Sequence, residues 1–469
     1  EGSLSVSNST FDGGGVDAET TTNAQATLAV SGVLFENDPS SVFTLTASDS
    51  SSLTSQIQNN VIENNQAALS LEVTGTAISD TTFSGNSVTN STTNAVLSRY
   101  EGSATQELTV TGNEISATDG DAIATRVFDG TVNATIANNT IDTATNRGIL
   151  LRSSQTGTMN ATVSGNGTSD TSSGGIHIRS SGSSNMDATV SNNVVANSGD
   201  YGIRIQATNA SNSSVVVSGN TIRETVAAAI DILSSNNSLV SVLAQANVIT
   251  DSTTTGIQAA AANNSTLNLT ASNNDISNTT QEGILFTGSD NSSSRFEARS
   301  NLIASSGNAS GVRASLFDNH DSEIIIANNI IGPSAQQGVE IDTSDATTAD
   351  ITVQGNQIND SSQDAIRMTL YSTEDQTVAV YANNLQTTGS HGVNLISQGD
   401  KQVSIYSNTI GTTGGAAVRA RMESGGLILS GSAQGNNVYT DATPVPFDDA
   451  GTAPYTGGDG VMINNVIYP

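Results

Sequence analysis

Apolar side chains alternate with polar ones in short runs such as GILLR (148–152), GIHIR (175–179), GIRIQ (202–206) and GVEID (338–342). A period of two places successive side chains on opposite faces and predicts β-strands; no apolar face of period 3.6 predicts a helix. The run begins with a small residue followed by Ile or Val (Leu after the first), at Ala68, Ala95, Ala122, Gly148, Gly175, Gly202, Ala229, Gly256, Gly283, Gly311, Gly338, Ala365, Gly392 and Ala417. Successive members fall 25 to 28 residues apart. A second column is asparagine: Asn86, Asn113, Asn139, Asn166, Asn193, Asn220, Asn247, Asn274, Asn301, Asn329, Asn356, Asn384, Asn408, Asn437 and Asn465. An apolar residue usually stands two positions later, as at Ile115, Ile222 and Ile358. Between these columns lies a third alternating stretch, DATVS (187–191), SVVVS (214–218) or DITVQ (350–354). Three short strands per period of about 27 residues predict an all-β, right-handed, three-stranded parallel β-helix (a solenoid) of about 16–17 rungs.

In that architecture the small residue is expected to permit a sharp corner. Ile149, Ile176, Ile203, Ile230, Ile257 and Ile284 are expected to stack inward, and the asparagines to form a buried amide ladder between rungs. Residues 1–60 read as looser N-terminal rungs or a cap, 61–421 as the regular β-helix, and 422–469 as irregular C-terminal rungs. That last stretch contains a loop with Pro444, Pro446 and Pro454, and then GVMINNVIY as a final rung.

Composition is explained by this arrangement. Only 35% of the 469 residues are hydrophobic and 4% aromatic, too few for several thick cores, but enough for one thin core shared along a repeat. Two registers kept over a dozen periods exclude the disorder that such a composition otherwise signals. The formal charge is −30 and the pI about 4.1, which disfavours bulk nucleic acid as a partner. No apolar run of 18 residues predicts a membrane span, and the opening EGSLSVSNST, with neither a charged nor an apolar leader region, predicts a signal peptide already removed. The absence of cysteine excludes disulfides and suits export through an oxidising compartment.

The 14 basic residues are not scattered. With Ile176 and Ile178 inward, His177 and Arg179 face outward. The same alternation puts Arg99, Arg126, Arg152, Arg179 and Arg421 in one outward column, and Arg204, Arg313, Arg367 and Arg419 in its neighbour. The preference for arginine over lysine suits bidentate recognition of sulfate or carboxylate. A polar groove along the first strands is therefore the candidate site for an elongated anionic glycan, with Asp119, Asn146, Arg147, Asp200, Tyr201, Gln281, Gln336, Asp364 and His391 at its lip. Tyr201 is placed to stack on a sugar ring. The competing structural reading has Arg313, Glu340 and Arg367 neutralising one another across rungs, as Arg204 and Asp231 do.

Catalysis in the groove would require an acid and a base at a fixed separation, or a base with a Ca²⁺ site. Glu340, Asp342, Asp364 and Arg367 are the best such cluster; His177 and His391 lie about eight rungs apart. No metal or cofactor set is recognisable, and no Thr-x-Thr ladder is regular enough for an ice-binding face.

The glycine-isoleucine strand, the Asn-x-Ile column, the 27-residue period, the missing cysteine and the acidic surface together resemble the passenger domains of bacterial autotransporter adhesins. The resemblance covers nearly the whole chain. It implies a passenger exported across the outer membrane by a barrel that this sequence does not contain and displayed at the cell surface, where such relatives bind host molecules or self-associate; a monomer is expected here. It also implies binding of host glycosaminoglycans and of matrix proteins such as fibronectin. The alternative is a polysaccharide lyase or hydrolase acting in the same groove.

Overall fold

A computed structural model describes residues 2–398 and 401–424, and beyond them the short strands Leu427–Leu429, Val438–Tyr439, Phe447–Asp449, Val461–Ile463 and Val466–Tyr468. Among these residues every regular segment is a strand, and the chain is a parallel β-helix of about 15 turns of roughly 27 residues. Two compact units divide it: residues 1–232 with 237–241, and residues 233–236 with 242–469. Asn437, Asn465 and the prolines of the C-terminal loop lie outside the described residues. Val461–Ile463 and Val466–Tyr468 pair antiparallel with each other.

One turn of the first unit shows the construction. Gly174–Ser181 is the first strand, Asn185–Ser191 the second and Val194–Ser198 the third. Each pairs in parallel with its counterpart one turn away, in a register that sets Ile149, Ile176 and Ile203 over one another. All three isoleucines are fully buried, each contributing on the order of 2 kcal/mol by leaving water. In two turns the first and second strands run on without a break, as Val96–Thr111 and Ile123–Ala137. The second unit repeats the plan, with Ile257, Ile284, Val312, Val339, Ile366 and Val393 as the inward column.

The asparagine ladder forms as expected and begins one turn earlier, at Asn60. In the first unit Asn193 Oδ1 accepts from both the backbone N–H and the Nδ2 of Asn166, at 2.9 and 3.0 Å. Asn193 Nδ2 in turn donates to Val163 O and to Asn220 Oδ1. Every polar group of these buried amides is thereby satisfied, which a buried ladder demands. In the second unit the ladder runs through Asn383, not Asn384: Asn356 donates to Asn383 Oδ1, while Asn384 is exposed. With two adjacent asparagines, only the one two residues before the inward Leu385 holds the register.

The small-residue column has a different cause from the one expected. None of Gly175, Gly202, Gly283, Gly311 or Gly338 has a positive φ, so no corner demands glycine there. A Cβ at Gly338 would lie 2.2 Å from Ile358 Cγ2, and one at Gly311 2.3 Å from Ile331 Cγ2. The third-strand isoleucine of the same turn fills the space, so the column is small because the thin core is already full.

Candidate functional site

In the first unit, Arg99, Arg126, Arg152 and Arg179 are Cα partners on four successive turns, with Gln206 next in the column. Arg99 pairs with Glu101 and lies over the Phe128 ring. Arg126, Arg152 and Arg179 make no ion pair among the described residues, and the Nε of each is buried without a hydrogen-bond partner. Burial, and then the guanidinium groups of Arg179 and Arg126, pull the pKa of Arg152 below its ordinary value. Three half-buried cations thus stand in file without an ion pair; Asp121, already paired with Arg147, attracts Arg126 from farther away.

Beside this file the remaining candidates of the first unit close on one another. Arg147, Gly174 and Tyr201 occupy one register position on three successive turns. A Cβ at Gly174 would lie 2.3 Å from Tyr201 Cε2, so the ring lies in the space a side chain there would take. Across that gap Arg147 Nε donates to the Tyr201 hydroxyl at 3.1 Å. Arg147 also pairs with Asp121 at 3.2 Å, an acid that burial pushes above the usual carboxylate range and that Arg147 pulls back. The Tyr201 hydroxyl meets His177 Nδ1 at 3.0 Å. Nε2 of the same ring is buried without a hydrogen-bond partner.

Two expectations are overturned here. His177 stands in the outward column yet is only 3% exposed, covered by Tyr201 and its arginine neighbours. Burial, and then the charges of Arg147, Arg204 and Arg179, hold its pKa down at about 3, so the ring is neutral. Tyr201 is also 3% exposed, its ring edge-on to His177 and under the Arg204 guanidinium, which leaves no face for a sugar. Arg204 in turn pairs with Asp231 at 3.1 Å, as the cross-rung reading requires. Asn146 and Asp200 are half-buried at the lip and bond neighbouring turns through their backbones, while Asp119 is exposed.

In the second unit Arg313 is the centre of a neutralised network. Arg313 reaches Asp342 at 3.0 Å, Glu340 at 3.6 Å and Glu282 at 3.8 Å. Glu340 is buried and accepts from Ser310 at 2.8 Å. Arg367 follows Glu340 in register, with its Nε buried and unpartnered. Gln336 donates to Asn308 O at 2.8 Å, and Gln281 is exposed. Asp364 accepts from the His391 N–H and from Asn394 Nδ2. Among the described residues, no three histidine or acidic side chains stand close enough to hold a metal ion.

Sequence reasoning missed Asp121 and Glu282, both buried acids in the corner before a first strand. Each lies directly beside the small residue of its turn, Ala122 or Gly283, and that position was the available signal.

A family model for the right-handed β-helix region matches residues 57–188 and 104–276, together somewhat less than half of the chain. The fold is a right-handed parallel β-helix. A comparison with curated proteins finds no match. Among solved structures, the A-module of mannuronan C-5 epimerase AlgE4 from Azotobacter vinelandii aligns over 82% of this chain and 90% of its own. The identity is 14% and the TM-score 0.37, a likeness that carries no argument about chemistry. The narrower resemblance to autotransporter passengers rests on the sequence motifs alone.

Proposed function

We propose that the chain is a cell-surface adhesin that holds an extended anionic glycan, of the glycosaminoglycan class, along the arginine file of its first unit. One observation carries the reading. Arg126, Arg152 and Arg179 are stacked in register without ion pairs, whereas Arg147, Arg204 and Arg313 are each matched to an acid. At ~4.8 Å between turns, each like-charge pair costs about 1 to 3 kcal/mol, depending on how well water screens it. In a chain with a net charge of −30 such a file has no internal purpose, and a row of sulfates or carboxylates relieves it.

Cleavage of the same glycan is the competing reading, and the geometry gives it little support. His177 stays neutral to about pH 3 and is buried, and Glu340 and Asp342 are both engaged by Arg313. Display at the bacterial surface and a further matrix-protein partner belong to this proposal as the autotransporter resemblance implies them, and a monomeric state is part of it.

Retention on immobilised heparin tests the reading. The chain should bind at low salt and elute as salt rises, and replacement of Arg126, Arg152 and Arg179 by alanine should move elution to markedly lower salt. Unchanged retention would remove the proposal. Appearance of unsaturated uronate or new reducing ends during the same incubation would favour the enzyme instead.

A further inference from the structure

Around the corner from the arginine file, the third strands end in a residue of left-handed conformation, and on most turns it is Asn or Asp. These side chains form a surface ladder: Asn64 Nδ2 donates to Asn37 Oδ1, and Asn90 Nδ2 to Asn64 Oδ1. On the next turn the ladder stops at Ala117 (φ 51°), followed by Thr143 (φ 59°). Alanine and threonine are poor choices for this backbone, and a β-branched residue there is a strained outlier. What alanine provides is room. The missing amide opens a cavity of about 250 Å³, walled by Asn90, Thr118, Asp119, Thr143 and Thr145 around Ala117.

One acceptor of the lining is left open. Asn90 Oδ1 has lost the donor that the next rung of the ladder would supply. The available groups are a carboxylate, an amide oxygen and hydroxyls, with no cation among them. That set accepts from vicinal hydroxyls and repels anions. The volume falls below the roughly 300 Å³ at which sites for drug-sized ligands begin, so it suits one ring.

We infer that this notch binds a single neutral pyranose, its adjacent hydroxyls donating to Asp119 and Asn90. The inference rests on the glycan-binding reading and adds to it a subsite for an uncharged residue or branch, separate from the arginine file.

Saturation-transfer NMR with the methyl glycosides of glucose, galactose, mannose and N-acetylglucosamine, on the whole chain, tests it. At least one glycoside should give transfer from the wild type. Ala117→Asn should reduce that transfer at least fivefold, because the introduced amide would continue the ladder into the notch. Its melting temperature should hold or rise, since Asn suits the left-handed backbone, so loss of fold does not confuse the result. Asp119→Asn should reduce transfer without changing the cavity's shape. Ala117→Asn should leave heparin retention intact, and the Arg126, Arg152 and Arg179 alanine variant should leave glycoside transfer intact, which separates failure of this site from failure of the arginine file. Absence of transfer from every glycoside, or undiminished transfer in Ala117→Asn, would overturn the inference.

Discussion

Arg147 and Tyr201 stand 54 residues apart in sequence and meet at 3.1 Å because Gly174, between them in the same column, has no side chain. Gly174→Ala should therefore displace the Tyr201 ring, exposing it and breaking its contacts with Arg147 and His177. Overpacking of this kind costs about 1 to 3 kcal/mol. The steric part of the cost should disappear in a Tyr201→Ala background, while the strain of an alanine at the positive φ of Gly174 (154°) remains. Thermal melts of the two single variants and the double variant measure the coupling, and additive losses would contradict the steric explanation.

Asn193 supplies an acceptor to two donors of Asn166 and two donors to the turns on either side. Asn193→Ala should leave several buried groups unpaired, each at about 1 to 3 kcal/mol, and so destabilise the first unit by more than 3 kcal/mol. Asn384→Ala, at the exposed neighbour of the true ladder residue, should cost less than 0.5 kcal/mol. Chemical denaturation of both variants checks the assignment of Asn383 to the ladder.

His320 is buried between Ser292 and Ser294, each hydroxyl 2.8 Å from a ring nitrogen, and burial lowers its pKa from 6.5 to about 4. The unfolded chain takes up a proton near pH 6.5 that the folded chain refuses until about pH 4. Stability is thus fully present above pH 6.5 and falls as pH drops through that interval, by on the order of 3 kcal/mol. His177, held down at about 3, adds a loss that continues to lower pH. Melting temperatures measured from pH 7 to pH 4 should fall, and His320→Gln should flatten the part of the curve above pH 4.

Removing one arginine from the unpaired file should not weaken the fold. Arg152→Gln relieves repulsion from Arg126 and Arg179, so its melting temperature should match or exceed the wild type at low ionic strength. The difference should vanish in concentrated salt. Arg204→Gln, which strips the half-buried Asp231 of its partner, should lower the melting temperature by an amount equivalent to about 1 to 3 kcal/mol. If both variants were equally destabilised, Arg152 would be a structural residue.

The repeat made most of the fold legible. Each turn returns the chain to nearly the same place, so a column in the sequence is a column in space, as Arg126, Arg152 and Arg179 show. Alternation located inward and outward faces equally well for Ile176 and Arg179. It failed for His177, which points outward and is nevertheless buried. The small residue at each first strand was visible, but not its cause, since only packing reveals that Ile358 fills the space at Gly338.

The sequence by itself determined the strands, the period and which residues share a column, because those follow from local alternation and a nearly constant count of residues per turn. Only the tertiary structure decided which candidates are occupied with one another and which are left over. Arg147, Tyr201 and His177 are consumed in a mutual network, Arg313 is surrounded by acids, and Arg126, Arg152 and Arg179 make no ion pair among the described residues. A long side chain reaches across turns only as far as its neighbours' sizes permit, and Gly174 and Ala117, which offer the room, signal it by what they lack.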